Sequence, residues 1–457
     1  LLTWFRVALL ARDMAAADLV LARLRAAPDL SEVELAEAEG ELHFRRGETQ
    51  RAIAAYERAA RALGRPVPSG LLGVLHDLRG LVQVLRCRLP RPAPDARLGR
   101  VFEALYDLRF SQDHAWLLRL HRLWLQAAPE DTRALAVEVL WRQLLGRREA
   151  AEALQASLSE KIREDEDPVG AAVLLMHRSM ARLLRGETQA AFSDGVDAAT
   201  RLLRAGDPYY AALAATLPTT CAIHVAGAGP LARIHHDLVA LVEATGDERT
   251  ARWADGIDAV LRWQQGDAQG AMEHCRRWAD QAGKRDDPSE ALARRFLAEL
   301  HLERGAYQPA LQELEQADRV AKRLHVRMDY TDARVITLLI ADAQARMAGQ
   351  AGISGRRATE RRMRALVGRF PRWEPRSLVA LAMQQLADGQ PDRARALFAA
   401  STRGALDRGQ AVDAWWALHL RSRALHDEEA AAAAASLANA HNLHKGAQEP
   451  SPGTGGS

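Results

Sequence analysis

Gly40-Glu41-Leu42-His43-Phe44-Arg45-Arg46-Gly47-Glu48-Thr49-Gln50-Arg51-Ala52-Ile53-Ala54-Ala55-Tyr56-Glu57-Arg58-Ala59 reads as two helices joined by a glycine turn. Gly47 ends the first helix at little cost because glycine tolerates left-handed backbone. Ala52, five positions on, is small enough to let the two helices approach closely. The same spacing returns as Gly186…Ala191, Gly266…Ala271, Gly305…Ala310 and Gly389…Ala394, with Arg12…Ala17 as a weaker copy upstream. The glycines Gly146, Gly186, Gly227, Gly266, Gly305, Gly349 and Gly389 stand 40, 41, 39, 39, 44 and 40 residues apart.

A second marker keeps the same step. Asp167, Asp207, Asp247 and Asp287 are forty residues apart, and three are followed by Pro168, Pro208 and Pro288. Aspartate caps a helix N-terminus by accepting from its orphan N–H groups. Proline suits the first helical position because that N–H has no intrahelical partner. Asp287-Pro288-Ser289-Glu290 reads as a capping box, with Glu290 reaching back to the cap. A fixed register of helix starts and glycine turns means a stacked array of similar units. The expected fold is all-α, a right-handed superhelix of about ten antiparallel helix pairs.

These residues resemble the tetratricopeptide repeat. Gly40, Gly47, Ala52, Tyr56 and Ala59 fall where that family prefers Gly, Gly, Ala, an aromatic and Ala, and Leu302 to Leu311 is nearly as good a copy. The period near 40 is longer than the family's usual length of about 34, so the resemblance is to a long-helix relative. It implies a solenoid that binds partners and says little about which. A second likeness lies in Ser69 to Arg91 followed by Val101 to Tyr106. This resembles a region of large bacterial signalling proteins that carry a serine/threonine kinase, an ATPase module and a long C-terminal helical-repeat region. That resemblance implies upstream kinase and ATPase domains and carries over no catalytic residue. The chain opens inside a helical pattern without an initiator Met, which also reads as a fragment of something longer.

The organisation expected is N-terminal repeats over 1–64 and an irregular, Pro-rich helical insertion over 65–112. The main solenoid, with a capping helix at its end, follows over 113–445, and a tail or linker over 446–457. The insertion holds Pro66, Pro68, Pro90, Pro92 and Pro94 and an apolar helix, Leu71 to Leu89, bearing Arg79, Arg86 and Arg88. A chain of 457 residues exceeds one ordinary core, but stacked units bury their apolar faces only against neighbours, so length sets no limit. Of 62 basic residues only four are lysine, and the net charge of +3 makes no general case for nucleic acid. Pro208 to Ala232 carries no formal charge, but Pro218, Gly227, Gly229 and Pro230 interrupt it, so no membrane span is expected. No secretory signal is visible at Leu1 to Arg6, and the expected location is cytoplasmic.

Catalytic chemistry is thin. Cys221 to Ala232 contains a GxGxxA run with Asp247 about twenty residues on, as a dinucleotide site requires. Such a site needs a strand before the glycines, whereas the repeat register accounts for Gly227 and Asp247 without a cofactor. His235 and His236 diverge on a helix, His114 and His121 are nearly two turns apart, and His274-Cys275 has no second pair at ligand spacing. Cys87, Cys221 and Cys275 are too scattered for a disulfide framework or a metal site. The chain is expected to be no enzyme, without cofactor or metal.

Two features point to binding. Arg356, Arg357, Arg361, Arg362, Arg364, Arg369, Arg372 and Arg376 face only Glu360 and Glu374 between Gln350 and Arg376. Arg357, Arg361 and Arg364 align on one helical face and suit an acidic partner. Among ten tryptophans, Trp253 and Trp263 are candidates for anchors on a concave face. The expected function is a non-catalytic protein-interaction scaffold that binds a partner segment in its groove, within a bacterial signalling protein. The alternative is the ligand- or peptide-sensing arm of a transcription regulator.

Overall fold

The computed structural model describes residues 1–11, 13–27, 29–109, 114–162, 167–206, 208–246, 248–284, 287, 289–324 and 332–443. Among them there is no strand. The first helices are α1 Leu2–Leu10, α2 Met14–Ala26, α3 Glu32–Arg45, α4 Thr49–Ala62, α5 Gly70–Leu85, α6 Ala96–Arg109 and α7 His114–Ala127. The next pairs are α8 Thr132–Leu144 with α9 Arg148–Lys161, and α10 Pro168–Leu184 with α11 Thr188–Ala205. Then come α12 Pro208–Ala222 with α13 Ala228–Thr245, α14 Glu248–Gln264 with α15 Ala268–Gly283, and α16 Ser289–Glu303 with α17 Tyr307–Arg323. The array ends in α18 Arg334–Met347 with α19 Arg356–Arg369, α20 Glu374–Ala387 with α21 Pro391–Asp407, and α22 Ala411–Leu425 with α23 Glu428–His441. Consecutive helices pack as pairs, and first helices of neighbouring units also touch, as α10 on α12 and α12 on α14. This is an all-α solenoid of two-helix units.

The sequence markers sit at the unit boundaries for local reasons. Gly47, Gly146, Gly186, Gly266, Gly305, Gly349 and Gly389 all adopt positive φ, between 66° and 84°. Gly227 departs from the series. It is the N-cap of α13 at φ −160°, extended backbone that any residue adopts, and its N–H donates to Gln264 Oε1 at 3.0 Å. What excludes a side chain there is Phe192, whose ring an added Cβ would overlap. The repeat register therefore does not account for Gly227; its tertiary neighbour does. Gly40 is explained the same way, because a Cβ there would meet the Tyr56 ring at 2.8 Å.

Asp167 caps α10, accepting from Gly170 N at 2.8 Å, and Asp287 accepts from Ser289 N at 2.9 Å. Asp207 and Asp247 lie outside the described residues. The capping box expected at Asp287 differs from what is observed. The Asp287 N–H donates to Ala282 O, and Glu290 turns to Arg294 at 2.8 Å and Arg323 at 3.5 Å. A backbone acceptor within reach leaves the glutamate free to pair with arginine. The capping box that does form joins Ser31 and Glu34 at the start of α3.

One continuous apolar core extends from Ala136 to Leu443, and a second from Ala36 to Trp141. α5 lies across α7 and α8. Its Gly73, Gly80 and Val84 are buried, and Gly80 lets α7 come so near that a Cβ would sit 3.0 Å from Arg122 Cγ. Its other side leaves Leu71 and Leu72 more than 70% exposed. The prolines at 90, 92 and 94 keep the chain out of helix, and the N–H groups of Ala93 and Asp95 donate to the last carbonyls of α7, Gln126 O and Ala127 O. No helix among the described residues is long and apolar enough to cross a membrane.

Candidate functional site: an apolar pocket on the inner face

The first helices of successive units converge on one side, where they line a partly open cavity of about 180 Å³. Leu140, Trp141 and Leu144 of α8, Met180, Leu183 and Leu184 of α10, and Leu217 with Thr216, Thr219 and Thr220 of α12 form one wall. Trp253, Gly256, Ile257 and Val260 of α14, Trp278 of α15 and Leu292 and Phe296 of α16 form the other. Arg369, the last residue of α19, and Phe370 and Arg372 of the link to α20 complete the lining. Helical periodicity explains the wall: residues three and four apart, such as 253, 256, 257 and 260, share one face. Gly256 has a packing role, since a Cβ there would lie 3.0 Å from the Trp278 ring.

The polar atoms of the pocket are few. The hydroxyls of Thr216, Thr219 and Thr220 donate back to Leu213 O, Ala215 O and Thr216 O at 2.6, 2.7 and 2.7 Å. The Trp141 ring is 7% exposed, and its Nε1–H, with essentially no accessible surface, has no acceptor among the described residues. Among the described residues no aspartate or glutamate lines the cavity.

Beside the pocket the solenoid closes on itself. Arg372 donates to Leu183 O at 3.0 Å, across 189 positions of sequence. Arg376 donates to Ile223 O at 2.7 Å, to Asp413 at 2.6 Å and to Glu299 at 2.9 Å, and is 2% exposed. His224 meets Asp413 at 2.7 Å, its carbonyl accepts from Val412 N at 3.0 Å, and its ring stands edge-on to Trp373 with centroids 4.7 Å apart. Glu299 also pairs with Arg295, whose guanidinium lies 4.9 Å from the Trp373 ring. Burial alone would raise the Asp413 carboxyl, but His224 and Arg376 outweigh it and hold it below the usual carboxylate range. Burial pushes the His224 imidazole down, against the pull of Asp413. The pair is therefore a carboxylate with a neutral imidazole, bonded to a buried guanidinium. It carries no nucleophile and reads as a structural bridge.

The arginine-rich run from 356 to 376 thus divides. Arg357, Arg361 and Arg364 are exposed on α19, with Glu360 as a loose partner of Arg364 at 3.8 Å. Arg372 and Arg376 turn inward and are among the most deeply buried side chains of the chain. The proline-led turn Pro371–Trp373 reverses the chain and drives them into the core. Sequence reasoning missed this; Pro371-Arg372-Trp373 interrupting a helical run was the available signal. Trp253 is half-buried in the pocket wall, whereas Trp263 is 2% exposed, and its Nε1–H donates to Glu303 at 2.9 Å.

The GxGxxA run is helix α12, a turn, and the start of α13, with no strand before Gly227. His274 meets Asp258 at 2.9 Å and Asp255 at 3.4 Å, and burial pushes His235 down. Among the described residues no group of three such side chains is arranged to hold a metal ion. Burial raises the Cys275 thiol well above its ordinary value, so the thiol is not a nucleophile.

No protein-family model matches the chain, and no curated protein does. Among solved structures it is similar to the crystal structure of the APC/C hetero-tetramer Cut9-Hcn1, at 14% identity and a TM-score of 0.43, covering 96% of this chain and 90% of that one. It is also similar to a STAND (signal transduction ATPase with numerous domains) protein with a tetratricopeptide repeat sensor from Pyrococcus horikoshii. There the identity is 11% and the TM-score 0.39, covering 90% of this chain and 72% of that one. The helix pairs themselves, rather than these distant likenesses, define the architecture.

Proposed function

We propose that this chain is a non-catalytic binding module of a regulatory protein, and that its recognition site is the apolar pocket on the inner face. One observation carries the reading: the pocket is walled by first helices from successive units and lined also by the link from α19 to α20. An occupant touches elements far apart in sequence at once, so its binding energy acts on how the units sit together. The cross-contacts of Arg372 and Arg376 leave room for a compact group rather than for a long peptide threaded along the inner face. That favours a small ligand, or a single anchoring side chain, and the sensing arm of a larger regulator as context. An engineered apolar cavity of about 150 Å³ holds benzene, so the size here suits one ring with a substituent.

Titration with toluene, followed calorimetrically and by the melting temperature, tests the reading. Saturable binding with a raised melting temperature is expected. Thr220→Phe, which places a ring in the cavity, should abolish binding and leave helicity unchanged. A wild-type chain that takes up no apolar probe would overturn the proposal.

A second reading concerns the exposed face of α19. Arg357, Arg361 and Arg364 are free to meet an acidic protein segment, with Glu360 as their one acidic neighbour on that helix. Changing all three to Glu should weaken binding to an acidic peptide at low salt and leave toluene uptake intact. Equal peptide binding by both proteins would reduce this face to solvated surface.

A further inference from the structure

Half of the large apolar side chains exposed among the described residues, seven of fourteen, crowd into one stretch. Leu71, Leu72, Val74, Leu75, Leu78 and Val82 stand on α5, each between 45% and 77% exposed, and Leu89 follows just after it. At 3.6 residues per turn the six on α5 cover an arc of about 160°. The opposite side carries the buried Gly73, Gly80 and Val84 and docks on α7, so the helix is held down with its leucine ridge turned outward.

The charge around the ridge is of one sign. From residue 65 to residue 94 the chain has five arginines, Arg65, Arg79, Arg86, Arg88 and Arg91, all exposed, and among the described residues none of them pairs with a carboxylate. The one carboxylate of that stretch, Asp77, is held by Arg119 Nε at 2.8 Å and Nη2 at 2.5 Å. An occupant must therefore offer apolar surface and anions together. A second copy does not, because a two-fold interface sets a patch against itself, arginine-rich on arginine-rich. A single partner helix would cover the seam of Leu71, Leu75, Leu78 and Val82, spaced four, three and four, and would leave Leu72 and Val74 in water at the margins of the arc. A fluid surface that yields around a ridge meets all six. Arginines set among leucines reach its phosphates while their stems stay against the apolar layer.

We propose that α5 is a membrane-surface anchor that lays its leucine ridge into the interface of an anionic bilayer, with Arg79, Arg86 and Arg88 taking the lipid phosphates. The contact is peripheral. α5 has 16 residues, about 24 Å, and does not cross a hydrocarbon layer of roughly 30 Å. It would hold the solenoid at a bilayer without involving the pocket.

Co-sedimentation of the whole chain with vesicles tests this, using phosphatidylcholine alone and an equal mixture of phosphatidylcholine and phosphatidylglycerol. The mixed vesicles are expected to bind at least tenfold more tightly, and added salt should narrow the difference. Leu75→Gln with Leu78→Gln, at two exposed positions, should abolish binding to both kinds of vesicle and leave the circular dichroism and melting temperature unchanged. Arg79→Gln with Arg86→Gln and Arg88→Gln should cut binding to the mixed vesicles several-fold and leave the weaker binding to phosphatidylcholine as it was. Every other arginine stays in place, including those exposed on α19, so these losses isolate α5. A wild-type chain that binds neither vesicle, or a leucine variant that binds as the wild type does, would overturn the proposal. So would a dimer in sedimentation equilibrium that the leucine variant dissolves, which would assign the ridge to a second copy. Uptake of an acidic amphipathic helical peptide by a chain that ignores vesicles would overturn it too, in favour of a protein partner.

Discussion

At the residue scale, three buried histidines decide how the protein responds to acid. His121, His177 and His224 are each at most 3% exposed. Burial pushes His177 down to about 4 and His121 well below its ordinary value, with Arg122 adding to the latter. Burial also lowers His224, although Asp413 opposes it. The unfolded imidazole titrates near 6.5, so each contributes stability that is complete above that value and lost as pH falls toward the folded value. Glu303 has the opposite sign. Burial raises it to about 7 against the Trp263 N–H, so its contribution is complete below the unfolded carboxyl range and lost as pH rises through 7. Part of that side chain remains in solvent, so its effect is the smaller, and net stability should fall between pH 7.5 and 5. His177 bonds only within its own helix, to Val173 O at 2.9 Å, which makes it a clean probe. His177→Gln should reduce the stability lost over that interval by about 2 kcal/mol, measured by chemical denaturation at both pH values. An undiminished loss would assign the acid sensitivity to other groups.

Elements in this fold are shaped by close approach more than by propensity. Glycine inside a helix normally costs up to about 1 kcal/mol relative to alanine, so replacement by alanine usually stabilises. Gly195 in α11 should behave in reverse. A Cβ there would lie 2.8 Å from Pro218 Cδ and 3.1 Å from Ser179 Oγ, and the proline ring cannot turn aside. Gly195→Ala is expected to destabilise by about 1–3 kcal/mol, as overpacked cores do. Adding Pro218→Ala should recover most of that loss, because it removes the obstructing ring. Denaturant midpoints of the two single variants and the double decide the matter, and simple additivity would show that the contact is not the cause. Pro218 also shows where pattern reading stopped. The sequence marked it as a break in an uncharged run, but it lies inside α12, next to the threonines of the pocket wall.

For the whole molecule, the distinctive feature is the bridge between units far apart in sequence. Arg376 holds the turn after α12, α16 and α22 together through Ile223, Glu299 and Asp413. A solenoid whose units touched only their neighbours would open and close freely, and this one is pinned. Arg376→Met leaves Asp413 with His224 and Glu299 with Arg295, so the cost should fall near or below the 3–5 kcal/mol typical of a broken buried pair. The radius of gyration from small-angle scattering should rise as the turns separate. An unchanged scattering curve, together with unchanged stability, would mean that local packing alone fixes the curvature.

The sequence by itself determined the helix pairs, their step near forty residues and the glycine and aspartate boundaries. These are local matters: a turn needs a residue that accepts positive φ, and a helix start needs an acceptor for its first N–H groups. Only the tertiary structure decided which faces look inward, because every unit carries two apolar sides and the pattern does not rank them. It alone placed Trp253 in a cavity wall and Trp263 in the core, and sent Arg372 and Arg376 inward while Arg357, Arg361 and Arg364 stayed in solvent. Such choices depend on partners as many as 189 positions away, and no periodicity within one unit can encode them.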